Sequence, residues 1–270
     1  MGMKGNPPIL SGKEYAAASV FEPANLLREA RRQKGLPQAA IPDICLLDPD
    51  GDILRALTRA GRARVSPRWA CYHTELYEFE EAGMRFGIIG CAVGAPFAVL
   101  LAEELFVSGC HFLISMTSAG QIVPQGDPPY FVVIDRALRD EGTSYHYLAP
   151  SEFAAADPAL VAAAMAALGE VGLRVYQGAA WTTDAPFRET AAAIDGAHSR
   201  NILAVEMEAA ALYAFARARG QPVLCLAHVT NRMAVDAGDF EKGEADGADA
   251  SLAVILAVAR SWRRRWGGAG

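Results

Sequence analysis

The sequence predicts one α/β domain, a β-sheet covered by helices on both faces. Three observations carry this reading. Short apolar runs of strand length alternate with longer runs at helical spacing from about residue 26 to residue 262. The runs at 86–91 and 222–229 are apolar almost throughout, the pattern of strands buried on both faces. No linker, internal repeat or low-complexity tract divides the 270 residues. Residues 13–270 therefore read as a single domain behind a tail over 1–12 that is expected to be mobile.

Each element has a local reason. Apolar and basic residues at helical spacing predict a helix over 26–34, stopped by Gly35. Residues 44–47 form a short apolar strand that ends in the turn cluster Asp48-Pro49-Asp50-Gly51-Asp52. A helix over 53–60 ends at Gly61, and a polar stretch with Arg68 leads to strands at 74–79 and 85–91. The clearest unit comes next. A strand over 86–91 turns at Gly94-Ala95-Pro96, with Pro96 suited to a first helical turn. A helix over 97–107 ends at Gly109, and a strand follows over 111–116. This is a βαβ unit, so its two strands are expected to be parallel. Residues 131–134 extend the sheet. Asp157 and Pro158 start a helix running to Leu168; the aspartate accepts orphan amides and the proline fills the first position. Strands are predicted at 173–181 and 202–205. A helix over 208–219 is stopped by Gly220 and Pro222, a buried strand spans 222–229, and a helix over 251–262 closes the chain.

Composition narrows the function classes. Hydrophobic content of 52% and charged content of 21% suit a globular enzyme with a sizeable core. A net charge of −6 weighs against a nucleic-acid partner, and Arg263-Arg264-Arg265 reads as a solvated helix end. Cys45, Cys71, Cys91, Cys110 and Cys225 are far apart and odd in number, which favours a reducing, cytoplasmic setting. No uninterrupted run of 18 apolar residues and no signal peptide is visible, so no membrane partner is expected. There is no metal-ligand spacing, Gly-rich nucleotide loop or Gly-x-Ser-x-Gly elbow, so neither metal nor cofactor is expected. His73, His111, His146, His198 and His228 are scattered and read as structural.

Active sites in such folds gather outside the carboxyl ends of strands. Polar clusters fall at four predicted strand ends, at 115–120, 182–190, 206–208 and 230–232. The most informative stretch is Ala204-Val205-Glu206-Met207-Glu208-Ala209. Residues two apart share a side in an extended segment but not on a helix. Both carboxylates face one side if 205–208 is extended, and only one does if the helix has begun. Acids at a helix entrance also pair with its dipole, and the sequence leaves these alternatives open.

Extended to Leu212, this stretch resembles the signature of the nucleoside phosphorylase superfamily, which includes uridine phosphorylase, hexameric purine nucleoside phosphorylase and the methylthioadenosine nucleosidases. Further matches occur in order over residues 20–262. They are Gly109-Cys110-His111-Phe112-Leu113 leading to Thr117-Ser118-Ala119-Gly120, then Asp140-Glu141-Gly142-Thr143-Ser144-Tyr145-His146-Tyr147, then Trp181-Thr182-Thr183-Asp184-Ala185-Pro186-Phe187-Arg188-Glu189-Thr190. The resemblance implies a mixed central β-sheet flanked by helices on both faces. It implies cleavage of a nucleoside's N-glycosidic bond by phosphate to free base and sugar 1-phosphate. Phosphate would be a co-substrate, and the partners would be nucleoside and phosphate. It also implies a homo-oligomer, a dimer or trimer of dimers, with sites shared across the dimer interface. A nucleosidase using water and a non-catalytic nucleoside-binding protein are the alternatives.

The resemblance also implies residue roles. Glu208 would accept hydrogen bonds from the ribose hydroxyls and favour positive charge developing on the sugar. Met207 would pack against the ribose, and Glu206 would either join it or pair with the helix dipole. Ser118 would touch both ribose and phosphate. Arg68, donated by a neighbouring subunit, and Ser115 would complete the phosphate site. Phe187 would stack on the base, and Arg188 would reach a base carbonyl or an anion. Asn231 and Arg232 would serve catalysis on the base side. Purine-cleaving relatives carry Ser-Asp where this chain has Asn231-Arg232. An amide is no general acid, so a uridine-like pyrimidine is expected. Departures cluster on the phosphate side, where Leu47, Gly51 and Ser115 replace a glycine and two arginines. Glu22 loosely matches a histidine that the neighbour lends to the ribose. Arg139 is the candidate to compensate, and Asp184 reads as a turn or cap.

Overall fold

The structure is a computed structural model and describes residues 7–233 and 238–267. In chain order the strands are β1 (Ile44–Asp48), β2 (Ala63–Val65), β3 (Tyr77–Glu81), β4 (Met84–Gly90), β5 (Phe112–Gln121), β6 (Tyr130–Asp140), β7 (Phe153–Ala155), β8 (Val175–Thr183), β9 (Ile202–Glu206) and β10 (Val223–Asn231). The helices are α1 (Pro23–Lys34), α2 (Asp52–Arg59), α3 (Ala95–Val107), α4 (Pro158–Leu168), α5 (Ala191–Ser199), α6 (Ala209–Arg219) and α7 (Ala248–Trp266). The expected single α/β domain with a mixed sheet is what forms. Layering follows from helix packing: α3 lies on α1 and α6, while α7 lies on α2 and α4.

The predicted βαβ strands, β4 and β5, are both parallel to β1, which inserts between them. All of β1 is buried, as expected of a strand flanked on both edges and covered on both faces. From β5 the sheet continues in two ways. On one side β1, β4, β3 and β2 form an open wing. On the other, β5, β10, β6, β8 and β9 pair in a closed ring, parallel except at β10–β6 and β5–β9. Ring closure removes edges. It also brings Gly120 opposite both Val205 and Asn231, so three strand ends meet at one point.

Local signals set the helix boundaries. Gly35 and Gly220 adopt left-handed φ of 64° and 66°, and their amides return to Arg31 and Ala216. Asp157 accepts the Ala159 amide at 2.7 Å, as its Asp-Pro motif predicts. Three elements were not expected, β2, β7 and α5. The two strands have three residues each and carry too short an alternation to read. In α5 an alanine run is broken by Gly196, and only the Thr190 cap marks its start. Of the tail expected over 1–12, residues 1–6 lie outside the described residues. Pro8–Leu10 form a 3-10 turn beside the one at Thr143–His146.

Candidate active site

β9 runs extended to Glu206 and α6 begins at Ala209, so the chain turns within two residues. Glu206 makes that turn possible. Its Oε2 accepts the amides of Glu208 at 2.8 Å and Ala209 at 2.7 Å, and its Oε1 accepts the Thr182 hydroxyl. Thr182 in turn accepts the Ala210 amide at 2.9 Å. The orphan donors that open α6 are thereby satisfied in a buried place. Of the two roles open to Glu206, the helix start engages Oε2 twice, and Oε1 is held by the Thr182 hydroxyl.

Glu208 is arranged differently. It is 1% exposed, and its Oε1 accepts the Gly94 amide at 2.7 Å. Gly94 stands at the N-cap of α3, so the carboxylate meets the positive end of that helix. Its Oε2 is buried and meets no hydrogen-bond geometry among the described residues, with the Thr117 hydroxyl close enough to lower the carboxyl's pKa but turned to the Ser118 carbonyl. Burial pushes the carboxyl well above the usual range, and the charges of Glu206 and Asp50 push it further. Buried polar atoms are almost always paired. The unpaired oxygen is open to a hydrogen bond with a ligand.

The end of β1 supplies Asp50, which the turn-like composition of 48–52 concealed. Its Oδ2 accepts the Ser118 amide at 2.6 Å. Ser118 is the residue for which phosphate contact was expected. Around it, Asp50, Thr117, Ser118, His228 and Lys242 line a cleft of about 20 Å³. His228 stacks on Phe131 with centroids 4.5 Å apart, and burial holds its pKa down to about 4, so it is neutral there. Asp52 is engaged by Lys242 and Arg55.

Asp48 is buried and accepts the Leu54 amide at 2.9 Å at the start of α2. Burial raises its pKa from 3.8 to about 7. The folded chain therefore holds a proton that the unfolded chain has lost between about pH 4 and pH 7. Stability falls as pH rises through that window. Asp48→Asn should remove up to about 4 kcal/mol of this pH dependence. Chemical denaturation of both proteins at pH 4 and pH 8 measures it, and an equal fall in both would refute the assignment.

The other expected residues are placed as follows. Met207 is half-buried between the two glutamates. Ser115 is buried, and its hydroxyl has no partner among the described residues. Asn231, at the end of β10, is 7% exposed and faces Gly120. Arg232 turns outward to Asp127, and its amide donates to Asp239 at 2.8 Å. Phe187 is 99% exposed and Arg188 is exposed beside it, in the 3-10 turn Pro186–Arg188. Arg68 pairs with Glu78 at 3.3 Å on the open wing, where Ser66 also donates to Glu78 at 2.6 Å. Leu47 is fully buried in β1, Gly51 has φ +75°, and Glu22 is exposed before α1. Asp184 accepts the Gly142 amide at 2.8 Å, joining two loops.

Arg139 is buried and donates to Ser144, Leu148, Ala149 and Ser151, all at 2.7–3.1 Å, with its guanidinium over Tyr145. These contacts use four of its five N–H donors to hold the loop after β6.

The chain was compared with known proteins. A family model described as the phosphorylase superfamily matches residues 43–260. A guanosine phosphorylase from Halorubrum lacusprofundi is 28% identical over 138 residues, covering 51% of this chain and only 57% of that protein. A uridine phosphorylase from Thermococcus kodakarensis is 26% identical over 199 residues, covering 68% and 70%. Among solved structures, a uridine phosphorylase from Vibrio fischeri superposes with TM-score 0.68 at 20% identity, covering 86% of this chain and 94% of the other. A purine nucleoside phosphorylase from Toxoplasma gondii superposes with TM-score 0.71 at 17% identity, covering 85% and 94%. The two structures share the fold, and the family match spans most of the chain: it belongs to the phosphorylase superfamily.

Proposed function

We propose that this protein cleaves the N-glycosidic bond of a nucleoside, transferring the pentosyl group to phosphate. The observation that carries the reading is the unpaired, buried Oε2 of Glu208 beside the Gly94-bound Oε1. Burial favours the protonated form of this carboxyl; in its ionised form it accepts from vicinal ribose hydroxyls and stabilises the positive charge that grows on the sugar as the bond breaks, and that charge in turn favours the ionised form. Relatives acting on uridine and guanosine support a nucleoside substrate. Phe187, exposed on its short turn, is free to cover a base. Nucleoside and phosphate as partners, a homo-oligomer, and a reducing cytoplasmic setting belong to the same proposal. Among the described residues no helix is long and apolar enough to cross a membrane.

One observation favours a second reading, with water as the nucleophile. Asp50 already occupies the Ser118 amide that an anion would need. The adjoining cleft of about 20 Å³ is on the scale of one water. Product analysis separates the two readings: sugar 1-phosphate formed only with phosphate supports the first, free sugar formed at the same rate without it the second.

Assembly is testable separately. Within one chain Arg68 is paired with Glu78 and makes no bond to the Glu208 site among the described residues. If a neighbour's Arg68 completes each site, Arg68→Ala and Glu208→Ala are each inactive alone. Mixed dimers should regain up to about a quarter to a half of the activity, because hybrids hold one intact site. Purified hybrids that remain inactive would exclude the shared site.

A further inference from the structure

The turn after β1 supplies positive charge to a side of the site that is short of it: we propose that Arg55 and Lys242 together bind the phosphate, and that the Asp52 carboxylate holds both cations in place until the anion displaces it. Neither cation is among the residues that the family resemblance assigned. The inference rests on the phosphate-dependent reading proposed above and names the side chains that carry its charge.

Asp52 opens α2 beside the cleft that Asp50, Thr117 and Ser118 line. Its carboxylate is 15% exposed and is held on both oxygens, Oδ1 by Arg55 and Oδ2 by Lys242. The two cations come from different parts of the chain. Arg55 lies one turn into α2 and folds back over Gly51. A Cβ at Gly51 would lie 2.8 Å from Arg55 Nη1 and 2.7 Å from the Cys91 sulfur. Glycine leaves that space open, and the guanidinium fills it. Arg55 Nη2 donates to the Asp50 carbonyl at 2.8 Å, and the side chain of the same Asp50 accepts the Ser118 amide at 2.6 Å. One residue thus joins the guanidinium to the amide expected at the phosphate. Lys242 arrives from beyond β10. The Glu241 amide donates to the Thr230 carbonyl at 2.8 Å and ties this segment to the strand. Among the described residues that line the cleft, Lys242 is the one lysine or arginine.

Two cations on one carboxylate are what an anion of higher charge competes for. A phosphate dianion brings a second charge and more oxygens than Asp52 can offer, and a guanidinium fork and an ammonium both donate well to it. Asp50 and Asp52 offset the two positive charges, so the anion enters by exchange with carboxylate oxygens and not by adding to an excess of charge. The exchange also makes room. The cleft of about 20 Å³ suits a water while Lys242 lies on Asp52, and it widens when that pair opens.

The test titrates inorganic phosphate into the full chain without nucleoside, at an ionic strength held constant with chloride, and reads the thermal midpoint. Wild type should show a saturable rise that gives an apparent Kd. Lys242→Gln should weaken that Kd by about tenfold or more, and the more exposed Arg55→Gln by about fivefold. Lys242→Arg keeps the charge and should recover most of the loss. Asp52→Asn releases both cations and should tighten the Kd, a sign that general damage to the fold does not produce. No rise beyond that in chloride, or an unchanged Kd in a folded Lys242→Gln or Arg55→Gln, overturns the proposal. Where a glutamine variant does not fold, Asp52→Asn decides, and a Kd that fails to tighten overturns it. If phosphate binds in this pattern and no nucleoside is cleaved, the proposed function fails and this inference stands. If nucleoside is cleaved to free sugar and phosphate does not bind, this inference fails and bond cleavage at Glu208 stands.

Discussion

Glu208→Ala should lower kcat/KM for nucleoside cleavage by about 30- to 1,000-fold, equivalent to about 2–4 kcal/mol. The side chain lies where strand gives way to helix, at the N-terminus of α3 and among other acids. Its Oε1 is held by Gly94, which leaves Oε2 for the sugar. Interactions that strengthen as the ribose gains positive charge act on turnover, so kcat should fall and not only KM rise. The substitution leaves the Gly94 amide without its partner, a modest loss that should not unfold the chain. Steady-state kinetics beside a thermal melt measures both. Glu206→Ala is the contrasting variant. It frees two amides and the Thr182 hydroxyl in a buried place and should cost about 2 kcal/mol or more of stability. If Glu208→Ala keeps wild-type turnover, the reaction is not centred on this carboxylate.

Asp50→Ala should change the dependence on phosphate. The Asp50 carboxylate holds the Ser118 amide at 2.6 Å and must leave it before an anion can use it. The Asp50 carboxylate and an entering anion compete for the same donor, and like charges at that distance repel. Removing the carboxylate frees one charge-assisted contact worth about 1.5–3 kcal/mol. The phosphate concentration for half-maximal rate should therefore fall by about 10- to 100-fold. Initial rates across a phosphate series, with the sugar product identified, give the answer. Loss of all activity, with free sugar as the wild-type product, would instead assign Asp50 to the water that attacks.

Much of this was visible in the order of residues. The alternation of apolar runs and the caps at Gly35, Asp157 and Gly220 depend on near neighbours, and those interactions are local in sequence. The family signature at 204–212 was equally legible, because it is contiguous. Glu206 and Glu208 could be named from that motif, but their division of labour could not. It depends on Thr182, 24 residues away, and on Gly94, 114 residues away. Asp50 was hidden for the opposite reason. Asp-Pro-Asp-Gly-Asp satisfies every rule for a turn, and a turn is what it makes. Only its contact with Ser118, across 68 residues, shows a further use. The surroundings of Arg139 were not legible either, because a charge in sequence carries no sign of its acceptors, which here are carbonyls and hydroxyls of its own loop.

The sequence by itself determined the α/β class, the single domain over most of the chain, the family, and the short set of residues from which a site could be built. Those follow from periodicity, caps and contiguous motifs, which are properties of neighbours along the chain. The tertiary structure alone decided that five strands close into a ring and that Gly120 faces both Val205 and Asn231. It also decided that one glutamate caps a helix while the other keeps an oxygen free. The reason is that hydrogen bonding and burial are settled by which groups meet in space. A carboxylate with three donors beside it and a carboxylate with one are identical until the strands that carry those donors have paired.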